Sequence, residues 1–157
     1  MTLPPRRPRL AIFGAGPAGA AFARQFALLP FEVETYDTRP HNGGHATILG
    51  EDELVEVAGC LEDGDYALIA SASHELDGRI AQAVLTSGRF RYCGMIGSRK
   101  KRDEILSSLA DAGLPAEQIG RLRCPIGIPD LHGRAPEVIA VSVAAQVLQV
   151  LQEDSAQ

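Results

Sequence analysis

The sequence predicts an α/β fold: a single domain built on a doubly wound, mostly parallel sheet. Two observations carry this. Short apolar runs alternate with segments of helical period, and a glycine-rich loop directly follows the first run. With 157 residues the chain is long enough for one domain with its own core.

The elements follow in order. Leu10-Ala11-Ile12-Phe13 is the first strand, ended by Gly14. Ala18, Ala21, Phe22, Phe26 and Leu29 then recur at helical spacing, and Pro30 stops that helix. A second strand covers Phe31 to Tyr36, before the turn Asp37-Thr38-Arg39-Pro40. From His41 to Gly64 the pattern weakens to a Gly43-Gly44 loop, an apolar stretch at Ala46 to Leu49, and a helix over Glu51 to Leu61. Tyr66 to Ala70 reads as a strand and Glu75 to Thr86 as a helix. Arg91 to Ile96 is another strand, and Lys100 to Ala112 another helix, stopped by Gly113 and Pro115. Leu122 to His132 carries two prolines and a glycine and reads as irregular.

Ala135-Pro136 opens the last helix, with proline early, where a missing N–H costs little. Its polar residues Ser142, Gln146, Gln149 and Glu153 form one narrow stripe. So broad an apolar remainder predicts burial on the sheet and, through the same helix, a homodimer. The competing account is that Leu122 to His132 folds over it. The predicted domain spans 9–153, with a flexible segment over 1–8 and a tail over 154–157.

Composition narrows the function. The net charge of −5 excludes a general nucleic-acid binder, and no apolar stretch is long enough to span a bilayer. Cys60, Cys93 and Cys124 form no CxxC pair, so neither a zinc knuckle nor a dithiol motif is present, and no metal site is expected. An odd cysteine count without a disulfide framework reads as reduced and cytoplasmic.

Gly14-Ala15-Gly16-Pro17-Ala18-Gly19 fits G-x-G-x-x-G between a strand and a helix, the placement of a Rossmann-like phosphate loop. In such a loop Gly14 permits the tight turn, Gly16 lets the backbone approach a phosphate, and Gly19 lets helix and strand pack closely. Pro17 pre-sets a helical φ at the helix start. Asp37, 18 positions beyond Gly19, stands where a ribose-binding carboxylate is expected, with Arg39 beside it. The alternative is a packing turn without a ligand.

A second loop, Gly97-Ser98-Arg99-Lys100-Lys101-Arg102, places four cations at a helix start. Positive charge there opposes the helix dipole unless an anion sits nearby. Asp103 and Glu104 offer the alternative of neutralisation on a solvated face. Ligands of open parallel sheets bind outside the carboxyl ends of the strands. Four loops are expected to gather there: Gly14 to Gly19, Asp37 to Arg39, Ser71 to His74, and Gly97 to Arg102. The predicted ligand-binding residues are Gly14, Gly16, Pro17, Gly19, Asp37, Arg39, Ser71, His74, Gly97, Ser98, Arg99, Lys100 and Arg102.

FGAG (Phe13 to Gly16), DTRP (Asp37 to Pro40), SHELD (Ser73 to Asp77), GMIGSRKKR (Gly94 to Arg102), AGLP (Ala112 to Pro115), CPIG (Cys124 to Gly127) and APEVIAVSVAA (Ala135 to Ala145) together resemble one family. It is the C-terminal Rossmann domain of the XdhC/CoxI family, accessory factors for xanthine dehydrogenase and related molybdenum hydroxylases. The resemblance runs from about Leu10 to about Leu151, and GMIGSRKKR is its most specific part. It implies a protein that binds molybdenum cofactor (molybdopterin), protects it during sulfuration and delivers it to the apo molybdenum hydroxylase. A cofactor sulfurase is a further implied partner. The family's loop usually reads GAGHVG, and Pro17-Ala18 stands here in place of His-Val. Its THDH segment is Ser71-Ala72-Ser73-His74, which keeps only the second histidine. The family's N-terminal domain has no counterpart in these residues, which implies either a separate polypeptide or a stand-alone paralogue with a changed ligand.

Two other functions fit the residues. One is an NAD(P)-dependent oxidoreductase using Asp37 for the adenine ribose, although no proton donor besides His74 and Tyr92 is evident and no substrate domain is present. The other is a ligand-free dimerisation module.

Overall fold

The computed structural model describes Leu3 and residues 6–155. Met1, Thr2, Pro4, Pro5, Ala156 and Gln157, which belong to the expected N-terminal segment and tail, lie outside the described residues. The elements run β1 (Arg9–Phe13), α1 (Pro17–Phe26), β2 (Glu32–Asp37), β3 (Thr47–Ile48), α2 (Glu51–Gly59), β4 (Tyr66–Ile69) and α3 (His74–Ser87). They continue β5 (Tyr92–Met95), α4 (Arg99–Asp111), α5 (Ala116–Ile119), β6 (Leu122–Arg123) and α6 (Pro136–Ser155). Six strands form one sheet in the order β3-β2-β1-β4-β5-β6, every neighbouring pair parallel. The chain winds outward from β1 to β3, then crosses to β4 and winds the other way. The order therefore reverses between β1 and β4, where a crevice opens beyond the strand ends.

Alternation along the central strands sends side chains into two cores. Ala11 and Phe13 of β1, with Ala67, Ile69, Cys93 and Met95, meet α2, α3 and α4 through Leu54, Ile80, Val84 and Leu109. Leu10, Ile12, Tyr66, Leu68 and Tyr92 face the opposite side, where Phe22, Phe26, Val143 and Val147 cover them from α1 and α6. Strands buried on both faces read as continuous apolar runs, which is why they were visible in the sequence.

Several elements differ from expectation. α1 ends at Phe26, because the residue before Pro30 is driven out of helical conformation, and Leu28 and Leu29 close tight turns onto Gln25 and Phe26. The stretch after Gly113 contains α5, and the segment read as irregular begins with β6. Both are too short to show a period. α6 continues into the stretch expected as a tail, as far as Ser155, and there Arg91 Nε donates to Asp154 Oδ1 at 2.8 Å.

The first half of the polar stripe of α6, Ser142 and Gln146, is turned onto the chain, while Gln149 and Glu153 are exposed. Gln146 Oε1 accepts from Gly127 N–H at 3.1 Å and from the Tyr92 hydroxyl, and its Nε2 donates to Gly127 O at 2.8 Å. Ser142 Oγ accepts from Ile128 N–H at 2.9 Å. The segment after β6 thus folds over the helix, as the competing account required. Val143, Val147 and Val150 are buried within the chain, and Val141 is the exposed large apolar side chain of α6 among the described residues. The apolar surface that motivated a homodimer is therefore largely covered by the chain's own elements.

Candidate functional site

A cleft of about 470 Å³ lies at the β1/β4 crevice. Gly16, Pro17 and Ala18 line it after β1, and Asp37, Thr38, Arg39 and His41 after β2. Ser71, Ala72, Ser73 and Leu76 close it after β4, and Ile96 and Lys101 after β5. Residues from the starts of α1, α3 and α4, together with Glu51 of α2, meet here. Their partial positive charges converge on one space.

The three loop glycines do different work. Gly14 sits at φ +121°, and a Cβ there would collide with the Ala70 carbonyl across the β1/β4 pair. A Cβ at Gly19 would overlap the Gly14 carbonyl oxygen. Both positions are demanded by packing. Gly16 is the N-cap of α1 with ordinary φ of −68°, and a Cβ there would meet nothing within 4 Å. Nothing in the fold itself asks for glycine at this position, and it lines the cleft. Pro17 occupies the first turn of α1, and no side chain caps that helix.

Asp37 lines the cleft and is engaged by partners within the chain. Its Oδ2 accepts from Ala15 N–H at 2.7 Å and lies 3.1 Å from His41 Nε2; its Oδ1 accepts from Thr38 N–H at 2.6 Å and Arg39 N–H at 3.3 Å. Burial works to raise this carboxyl, but the hydrogen bonds from Ala15, Thr38, Arg39 and His41 outweigh it and hold it below the usual carboxylate range. A side chain with four donors already placed is a clamp between the β1 and β2 loops.

The basic run divides. Ser98, Arg99 and Lys100 are exposed, Gly97 and Arg102 are half-buried, and none of the five lines the cleft. Ser98 Oγ accepts from Lys101 N–H at 3.2 Å, capping its own helix, and Arg102 pairs with Asp103 at 3.2 Å, the local neutralisation that its acidic neighbour offered. Lys101 instead turns inward. Its Nζ donates to Asp77 Oδ2 at 2.6 Å and to the Ile96 carbonyl at 2.9 Å, while Asp77 Oδ1 accepts from Ser71 N–H at 2.9 Å. His74 begins α3 exposed and lines a groove between α3 and α4, outside the cleft.

Of the predicted residues, the cleft brings together Gly16, Pro17, Asp37, Arg39 and Ser71, whereas Gly14 and Gly19 are outside its lining and pack against Ala70 and against each other. Sequence reasoning missed His41 and Asp77, and it placed Ser73 and Lys101 in the expected loops without naming them as ligand residues. Two of these left a signal: Lys101 shares a spacing of four with Ile105 and Leu109, and Asp77 keeps helical spacing with Ile80 and Val84. Charged residues on the core-facing stripes of adjacent helices are the mark of a buried pair. Among the described residues no helix is long and apolar enough to cross a membrane, and no group of three or more His, Cys, Asp or Glu is arranged to hold a metal ion.

The model of the XdhC Rossmann domain family matches residues 10–147. The chain is 32% identical over 153 residues to an uncharacterised Escherichia coli protein, YqeB, covering 92% of this chain and 27% of that protein. It is 28% identical over 150 residues to a Bacillus subtilis protein described as a probable xanthine dehydrogenase subunit, covering 91% of this chain and 43% of the relative. A crystal structure described as a Bacillus halodurans xanthine dehydrogenase superposes with a TM-score of 0.78 at 23% identity, over 94% of this chain and 43% of that one. The chain thus spans less than half the length of each of these relatives.

Proposed function

Since the chain belongs to the XdhC Rossmann domain family, we propose that it is the cofactor-binding domain of an accessory protein serving a xanthine or carbon monoxide dehydrogenase-type molybdenum hydroxylase. Gly16 is the observation that carries a ligand in the cleft: glycine stands where the fold has room for a side chain, at the uncapped start of α1. The ligand is molybdenum cofactor, whose terminal phosphate suits the Gly16-Pro17-Ala18 turn and the exposed guanidinium of Arg39. Bound cofactor supplies metal dithiolene chemistry to the client enzyme. The chain's own part is to hold and shield it until delivery to the apo-hydroxylase. A cofactor sulfurase and a separate N-terminal-type domain are the further partners in this reading.

The strand order, the one common to dinucleotide-binding domains, favours NAD(P) as the rival occupant. Against it, Asp37 has its carboxylate oxygens already engaged by Ala15, Thr38, Arg39 and His41. The two are separated by purifying the protein from a host that makes molybdenum cofactor, denaturing it, and identifying what is released. An oxidised pterin is expected. A nicotinamide dinucleotide, or an empty protein that also fails to take up cofactor in vitro, overturns the reading.

A further inference from the structure

We propose that Lys101 is the buried cation of this cleft, donating its remaining ammonium hydrogen to an anionic, phosphate-class group of the bound ligand. The inference rests on the cleft being the ligand site. Of the four cations at the start of α4, Lys101 alone both lines the cleft and is buried, its side chain 9% exposed. The turn before it is shaped around its stem: a Cβ on Gly97 would lie 2.6 Å from Lys101 Cδ. An ammonium carries three hydrogens. Asp77 and the Ile96 carbonyl take two of them.

A stability role explains this pair poorly. Attraction between buried charges is offset by the loss of their hydration, and an apolar pair of similar volume would hold α3 to α4 at least as well. What an apolar pair would not supply is a charged donor at the wall of the cleft. Asp77 keeps the ammonium balanced while no ligand is bound, and through Ser71 N–H it holds the β4–α3 loop beside it. Of the other carboxylates lining the cleft, Asp37 is already occupied by four donors and Glu51 pairs with Arg79 at 3.6 Å, so each has partners of its own. The class of ligand follows: a small molecule with an acceptor of full negative charge, met by one fixed ammonium where helix N-termini converge.

Calorimetric titration of inorganic pyrophosphate into the purified chain tests this. Lys101→Met should weaken binding by about tenfold or more, the usual worth of one charge-assisted hydrogen bond. Arg99→Ala and Lys100→Ala should leave the affinity unchanged. If Lys101→Met fails to fold because Asp77 is left unpaired, the double variant Lys101→Met with Asp77→Asn removes both charges and should show the same loss. Unaltered affinity in a folded variant lacking the ammonium overturns the proposal, as does a larger loss from the outer cations. Failure of the wild type to bind millimolar pyrophosphate overturns it too. That result leaves the cofactor reading standing, since the identity of the released molecule decides that one separately.

Discussion

Alanine substitution at the three loop glycines separates the fold's demands from the ligand's. In Gly19→Ala the new methyl overlaps the Gly14 carbonyl, backbone against backbone, so no rotamer change relieves it. In Gly14→Ala the residue must also keep φ at +121°. Overpacking that moves backbone costs about 3 kcal/mol, with a further penalty for the φ at Gly14. For a domain of this size one kcal/mol shifts Tm by about 2–4 °C, so each variant should melt about 6–12 °C lower or fail to fold. Gly16→Ala meets no atom. The loss of a glycine N-cap and the gain from a stiffer unfolded chain oppose each other, leaving a change within about 0.5 kcal/mol. In the cleft, however, the methyl occupies the approach of the ligand. Cofactor content or affinity should fall by about tenfold to a hundredfold, the equivalent of about 1–3 kcal/mol of overpacking. Thermal melts and pterin content of the three purified variants are the assay. A Gly16→Ala protein that melts as low as Gly19→Ala refutes the division of labour, and one with undiminished ligand refutes the role assigned to Gly16.

Asp37 is held below its ordinary pKa, so its contribution to stability is present above the ordinary carboxylate range and disappears as pH falls through the lowered value. Asp37→Asn should therefore melt below wild type at neutral pH, with the gap closing on acidification, as melts across the acid range will show. Burial pushes the Cys93 thiol up to about 12 and also raises that of Cys124, whereas Cys60 is exposed. One thiol per native chain should react rapidly with an aromatic disulfide reagent, and Cys60→Ser should abolish that reaction. Gln146→Leu strands the Tyr92 hydroxyl and both backbone groups of Gly127. A loss of about 2–3 kcal/mol is expected, read by chemical denaturation. Val143→Glu puts a charge at a fully buried site and should unfold the chain instead of dissociating a dimer, seen as loss of cooperative melting.

The architecture was legible because parallel strands buried on both faces announce themselves as runs such as Leu10 to Phe13 and Tyr66 to Ala70. The glycine loop was legible for the same kind of reason: backbone collisions at Gly14 and Gly19 leave the sequence no other residue. Side-chain pairing across helices was not. The run Arg99 to Arg102 looks uniform along the chain, yet a helix turns each residue by about 100°, and one of four neighbouring cations faces inward. Only the docking of α3 beside α4 decides that this cation is Lys101 and that Asp77 meets it. The stripe on α6 tells the same story, since Ser142 and Gln146 read as a wet edge until the Gly127 loop folds onto them. Local sequence determines which elements form, because period and sterics act within a few residues. Whether a polar group meets water or a partner depends on segments far along the chain, and only the assembled tertiary structure brings them together.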